Sequence, residues 1–245
     1  ENRYKNVPIC NWMIKTMSSK PANNKAPTGK TGSLTDKAYL ELEELIVTLR
    51  LQPGEVLSET ALSAQLDIGR TPIREALQRL SREGLVVILP RKGILVSEIN
   101  PGKQLLVLEV RRQLERLLAR AGAVRRTEEE REVFLEIAAG MERAASDNDD
   151  IEFMRYDSAF NNLLASAAKN EYANRAIGLM NGLSRRFWYV HYKETADMPL
   201  CARLHAEVAR CIAEGDPDAA SEASDRLVDY VETFTRATVN TGPTG

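Results

Sequence analysis

Arg70, Thr71, Arg74 and Gln78 are spaced so that a helix beginning near residue 70 sets them apart from the apolar residues between them. Ile73, Ala76, Leu77 and Leu80 fall at i, i+3, i+4 and i+7, one stripe for burial, which leaves the two arginines and the glutamine on a face free for a ligand. The chemistry of that face is anion and base recognition. A guanidinium fork matches two phosphate oxygens or the O6/N7 edge of guanine. A helix start adds free backbone amides that attract phosphate. Thr71 ahead of Pro72 is expected to cap those amides, with proline losing no hydrogen bond at the first helical position. Two solvated surface arginines would show the same spacing, so the flanking elements must decide between the readings.

Those elements form a recognisable layout. Leu34 to Leu49 carries Tyr39, Leu42, Leu45, Ile46 and Leu49 at helical spacing, and Pro53-Gly54 then forces a turn. Glu59 to Leu66 is a short helix with Ser58 as candidate cap and Leu62 and Leu66 inward; Asp67-Ile68-Gly69 is a tight connection. After the segment at 70–80, Leu85 to Leu89 and Ile94 to Val96 are apolar strands around Pro90-Arg91-Lys92-Gly93, a hairpin with a cationic tip. Such a tip can reach a groove or a phosphate, although basic tips also occur on plain surfaces. Two short helices followed by a hairpin is the layout of a winged helix-turn-helix, whose second helix enters the DNA major groove N-terminus first.

The segment Leu-x-Pro-Gly-x-x-Leu-Ser-Glu-x-x-Leu at Leu51 to Leu62, with Gly-Arg-Thr-Pro-Ile-Arg-Glu-Ala-Leu-x-Arg-Leu-x-x-Glu-Gly-Leu-Val at Gly69 to Val86, resembles the winged-helix domain of GntR-family transcription regulators. The resemblance spans roughly residues 36 to 97. It implies DNA contacts at Arg70 and Arg74, a phosphate contact at Thr71, and a wing containing Arg91, Lys92 and Gly93. Gly69 departs from the pattern, where the family often has serine, and one polar contact near the helix start goes with it.

Asn100-Pro101-Gly102 punctuates the chain and is the expected domain joint. Beyond it the periodicity is helical: Leu105, Leu108, Leu114, Leu117 and Leu118 stripe one segment, and Val133, Ile137 and Met141 another. Further helices are expected over 150–168, 172–192, 200–213 and 216–235. Asp147-Asn148-Asp149 and Glu214-Gly215-Asp216-Pro217 read as connections. The predicted fold class is mainly α, with three helices plus a β-hairpin wing followed by an all-α bundle of about six helices. The domain expectation is a basic disordered tail at 1–33, a winged helix at 34–99, a helical sensing domain at 100–238 and a flexible end at 239–245.

Glu109-Val110-Arg111-x-x-x-Glu115, Asp157-x-x-Phe160-Asn161-x-x-Leu164, and His205 followed by Ala213-Glu214-Gly215-Asp216-Pro217 resemble, in that order, helices of the FCD domain that senses ligands in the FadR subgroup. Many members of that subgroup hold a divalent metal through one aspartate and three histidines. The matching positions are Asp157, Asn161, His205 and Leu227. A neutral amide is a weak donor for zinc-like ions and leucine is none, so only Asp157 and His205 remain as ligands and no cofactor is expected. The resemblance instead puts Arg111, Asp157, Asn161 and His205 around an effector, for which a small carboxylic acid is the expected class. Arg111 suits a carboxylate clamp; it equally suits an i,i+4 pair with Glu115. The run Arg185 to Tyr192 concentrates aromatic residues, which fit core, dimer interface or pocket wall.

Composition narrows the classes. The 245 residues, 43% hydrophobic and 28% charged, fit one large or two ordinary domains of a water-soluble chain. No apolar run approaches the roughly 20 residues of a membrane span and the N-terminus has no signal-type apolar core, so a cytoplasmic location is expected. Met17 offers an alternative start. Cys10, Cys201 and Cys211 show no Cys-x-x-Cys spacing and read as free thiols. The formal net charge is -2, yet residues 1–33 hold six Lys/Arg against one Glu, so a basic arm precedes a domain whose own cations are placed rather than abundant.

The expectation is a homodimer, because one short helix reads few bases and a two-fold protein reads a pseudo-palindrome; relief of repression by ligand is the commoner outcome in the family. Two rival classes stand beside it. An enzyme would use Asp157, His205 and Arg111 as acid, base and anchor, but no nucleophile motif or phosphate loop accompanies them. A protein-interaction or architectural winged helix would bind its partner without the salt dependence of DNA.

Overall fold

Ser33 starts the first helix by a reciprocal cap: its hydroxyl accepts from Asp36 N–H at 3.1 Å while the Asp36 carboxylate accepts from Ser33 N–H at 3.2 Å. The computed structural model describes residues 33–91 and 93–241. The basic tail, apart from Ser33, lies outside the described residues, as do Lys92 and residues 242–245.

The N-terminal part comprises α1 (Leu34–Val47), β1 (Val56–Leu57), α2 (Glu59–Leu66), α3 (Arg70–Arg82), β2 (Val86–Leu89) and β3 (Gly93–Val96). Ile73, Ala76, Leu77 and Leu80 are all buried, as the spacing of α3 predicts, and pack with Leu42 and Ile46 of α1 in one core. Each large side chain among them contributes about 1.5–3 kcal/mol by leaving water. Ser58 caps α2 by accepting from Ala61 N–H, and Asp67 closes it in the left-handed region at φ 53°. The helix start at Thr71-Pro72 needs correction. The helix begins at Arg70, its N-cap is Gly69, and no side chain caps it. Pro72 therefore stands third, still within the turn whose amides have no partner inside the helix.

The wing also differs from a two-stranded hairpin. It is a three-stranded antiparallel sheet in the order β1-β3-β2, with Val56 opposite Leu95 and Leu57 opposite Ile94 on one side, and Val87 opposite Leu95 and Ile88 opposite Ile94 on the other. A strand of two residues is too short for period-2 alternation to reveal it.

The C-terminal part is helical throughout: α4 (Pro101–Arg125), α5 (Glu128–Asp147), α6 (Asp150–Ala167), α7 (Glu171–Thr195), α8 (Met198–Glu214) and α9 (Pro217–Thr241). Asn100-Pro101-Gly102 is the start of α4, Asn100 accepting from Lys103 N–H at 3.0 Å with proline at the first helical position. Asn148 and Gly215 end α5 and α8 in the left-handed region, at φ 51° and 79°. Phe134, Met141, Ala209 and Ile212 centre the bundle core. Arg112 and Arg116 tie α4 to α9 through Asp225, with Arg112 also reaching Asp229 and Glu232. Leu117 and Val133, expected in the core stripes, are 44% and 42% exposed; Leu118 and Phe134, one residue later in each case, take the inward positions. The aromatic run lies against α9, where Phe187 and Trp188 meet Phe234 at ring-centre distances of 5.9 and 5.0 Å. Among the described residues no helix is long and apolar enough to cross a membrane.

Candidate nucleic-acid interface and sensing cluster

The outward face of α3 carries Arg70, Thr71, Arg74 and Gln78, all exposed. Arg74 is bound by a group that spacing alone does not reveal. Its Nε donates to Glu59 Oε1 at 3.0 Å and its Nη2 to Glu59 Oε2 at 2.7 Å, a fork-to-carboxylate pair joining α3 to the first turn of α2. The hydrogen bond from Arg74, with the nearby charge of Arg70, holds the Glu59 carboxyl below its usual range. The pair occupies the Nε/Nη2 side of the guanidinium and leaves the Nη1 end pointing outward. Arg70 has no ion pair among the described residues and stands beside uncapped α3 amides. At the wing, Arg91 is exposed at φ 64°, and Gly93 at φ 106° opens β3 opposite Leu89. Lys92, expected between them, lies outside the described residues.

In the bundle, Asp157 of α6 faces His205 of α8, and the exposed Asn161 bonds Asp157. His205 Nε2 is 3.2 Å from Asp157 Oδ1, and its Nδ1 is 2.9 Å from the carbonyl oxygen of Cys201. Both ring nitrogens thus face acceptors, which suits the doubly protonated imidazolium. Burial opposes that charge, but the Cys201 sulfur and the Asp157 carboxylate more than offset it and hold the ring's pKa well above its usual value. Burial likewise opposes the Asp157 anion; the hydrogen bond and charge of His205, the charge of Arg111 and the Asn161 amide hold its carboxyl below the usual range. Phe153 and Phe160 wall the imidazole edge-on at 5.4 and 6.2 Å.

Arg111 joins this cluster through its field at Asp157, while its own fork is satisfied by Glu115 Oε1 at 2.6–2.8 Å and by Asn181 Oδ1 of α7 at 3.0 Å. The i,i+4 pair is therefore formed, and Arg111 also has a tertiary bond to α7. The cluster does not fit a tightly held transition metal. The Asn161 amide donates its hydrogens to the carbonyl and the carboxylate of Asp157, and Leu227 is buried without a donor atom. Among the described residues no three His, Cys, Asp or Glu side chains gather closely enough to hold an ion.

Helix α7 links this cluster to the winged helix. One turn past Asn181, Arg185 Nη1 reaches Glu43 of α1 at 3.3 Å. Arg186 is only 2% exposed and donates to Ser97 O at 2.9 Å, Ser97 Oγ at 3.0 Å and Glu98 O at 3.3 Å. Burial lowers its pKa to about 10, with Glu98 opposing, so it stays charged at neutral pH. Gly182 permits this approach, since a Cβ there would lie 2.6 Å from Leu85 Cδ1. The sequence signal for the junction was two consecutive arginines inside an aromatic helical run.

Known proteins match both parts of the chain. Residues 34–96 match the bacterial regulatory proteins of the gntR family, and residues 106–230 match the FCD domain. The HTH-type transcriptional repressor RspR of Escherichia coli is 26% identical over 194 residues, 79% of this chain and 85% of that protein. An HTH-type transcriptional regulator of Streptomyces ambofaciens is 45% identical over 65 residues, 26% of this chain and 28% of that one. In fold, the chain is similar to the Escherichia coli protein McbR/YncC, with a TM-score of 0.71 and 17% identity over 86% of this chain and all of that one. A winged helix carried on an all-α sensing domain defines a ligand-responsive transcription regulator rather than an enzyme. This chain belongs to the GntR family, with a C-terminal FCD domain.

Proposed function

We propose that the protein is a homodimeric repressor that binds a pseudo-palindromic operator and releases it when a small organic acid binds the bundle. Arg70 and Arg74 read or anchor the major groove, Thr71 and the uncapped α3 amides hold a phosphate, and Arg91, Lys92 and Gly93 bring the wing to the adjacent backbone. The sign of regulation draws support from RspR, named a repressor.

A second copy packs on α4. Leu106, Val110, Leu117 and Val124 recur at intervals of four and seven residues on one side of this 25-residue helix and are 61%, 52%, 44% and 68% exposed. An unburied stripe of that spacing is the seam of a helix that pairs with another.

The acid is held by Arg111, His205 and Asn161, with Asp157 setting the charge of the imidazole. Its carboxylate takes the place of Glu115 on the Arg111 fork. The observation that carries the reading is the position of α7: Asn181 bonds Arg111 at the cluster, and Arg185 and Arg186 of the next turn bond Glu43, Ser97 and Glu98 of the winged helix. An acid that draws Arg111 away from Asn181 shifts α7 and so the angle of the two DNA readers.

The test is a fluorescence titration of DNA selected in vitro for binding, with and without a panel of small carboxylic acids. An acid that weakens DNA binding at least tenfold in the wild type, and has less than a twofold effect in Asn181→Ala, fits the proposal. An equal effect in both proteins overturns the coupling through α7.

A further inference from the structure

A cleft of about 610 Å3, lined by none of the residues assigned to the DNA face or to the Asp157–His205 cluster, lies between the last turn of α3 and the first half of α7. It is open to solvent, and its volume falls within the about 300–1,000 Å3 of small-molecule sites. Its charge is uneven. Arg79, Arg82 and Arg175 line it against Glu83, and Glu83 is buried and occupied by Tyr39 Oη at 2.9 Å and Arg79 Nε at 3.1 Å. Arg82 is exposed and has no ion pair among the described residues. Arg175 pairs with the exposed Glu171 of its own helix and lies over the Tyr172 ring at 5.0 Å.

The α7 wall carries Asn174 and Arg175 together with Ala176, Gly178 and Leu179. Leu179 is 49% exposed there, and one position before it Gly178 sits in the middle of a helix. Glycine is the weakest helix former after proline. At Gly182, one turn on, a Cβ would collide with Leu85, which accounts for that glycine. At Gly178 a Cβ would meet nothing within 4 Å, and no positive φ requires glycine either. Neither packing nor backbone conformation requires glycine there, and the missing side chain leaves that stretch of α7 clear for a ligand.

We infer that this cleft is a second ligand site, taking an amphipathic organic anion whose acid group meets Arg82 and Arg175 and whose apolar body lies over Gly178 and Leu179. The site is separate from the proposed effector cluster and stands whether or not that cluster binds an acid. Its ligand touches the DNA-reading helix and the sensing domain at once, so any difference in its affinity between DNA-bound and free protein couples the two binding events reciprocally.

The probe is 8-anilinonaphthalene-1-sulfonate, an apolar anion, titrated into the full chain by fluorescence and competed with octanoate. Saturable binding, displaced by octanoate, is expected. Arg82→Glu and Gly178→Leu should each weaken it at least tenfold with helical circular dichroism unchanged, the first by reversing the charge and the second by filling the wall. Asn161→Ala, in the bundle cluster but bonded to Asp157 rather than to α7, should leave it within twofold. Absence of saturable binding, binding within twofold of wild type in a folded Arg82→Glu or Gly178→Leu protein, or loss in Asn161→Ala overturns the assignment. Should Gly178→Leu fail to fold, Arg82→Glu alone decides.

Discussion

The Arg74 guanidinium grips both carboxylate oxygens of Glu59, at 3.0 and 2.7 Å, across the turn of the helix pair. Arg74 is 61% exposed at its side chain and Glu59 26%, so the pair contributes little to stability and its consequence is orientation. Held by its Nε side, the fork presents its Nη1 end outward.

Glu59→Ala is therefore expected to weaken specific DNA binding by about 1–2 kcal/mol, roughly five- to thirtyfold, without loss of helical circular dichroism. Arg74→Lys should fail to restore what Arg74→Ala loses, because an ammonium has no fork for Glu59 to align. Titration of DNA by anisotropy checks both; undiminished affinity in Glu59→Ala contradicts the orienting role.

The imidazolium of His205 and the carboxylate of Asp157 make a pH window. His205 has its pKa raised by folding, so its stabilisation is complete below about pH 6.5 and is lost as pH rises through the folded value. Asp157 is lowered, so its share is complete above about pH 4 and is lost as pH falls through its folded value. His205→Gln should then cost about 1–3 kcal/mol near pH 5.5, less than a wholly buried pair because Asp157 is 35% exposed. Urea midpoints measured from pH 5 to 9 should show this gap narrowing at the alkaline end; a constant gap contradicts the charged pair.

On α4, Val110→Glu and Leu117→Glu put charges into the exposed stripe without disturbing the bundle core, from which both side chains point away. Sedimentation should show dimers for the wild type and monomers for the double variant, with DNA affinity reduced at least a hundredfold as two half-sites become one. A double variant that stays dimeric removes the stripe from the interface.

Much of this fold was legible from spacing. The buried face of α3, the Ser58 cap, the Gly215 helix stop and a bundle of long helices each rest on local periodicity or turn chemistry. Where reading failed, the deciding contact was tertiary or the element too short. Thr71 looks like a cap, yet the cap is Gly69 and the helix starts at Arg70, two residues earlier than that cap implies, and β1 is only two residues long. Leu117 matches the core stripe, but the helix turns it to the outer face. Site residue types were legible and their partners were not. Glu115 at i+4 from Arg111 is visible in the sequence; Asn181, 70 residues away, is not. Arg186 has the composition of a surface residue and is buried only because Ser97 and Glu98 supply its acceptors.

The central claim is that the exposed face of α3 reads DNA as the output of the sensing domain. It is tested most directly by measuring, at several salt concentrations, the affinity of the full chain and of the Arg70→Ala and Arg74→Ala variants for a DNA sequence selected by the wild type and for a scrambled one. The account predicts steep salt dependence, a loss of about 1–3 kcal/mol for selected DNA in each variant, a reduced preference over scrambled DNA, and unchanged helical circular dichroism. Equal affinity of wild type and variants for the selected DNA would contradict it.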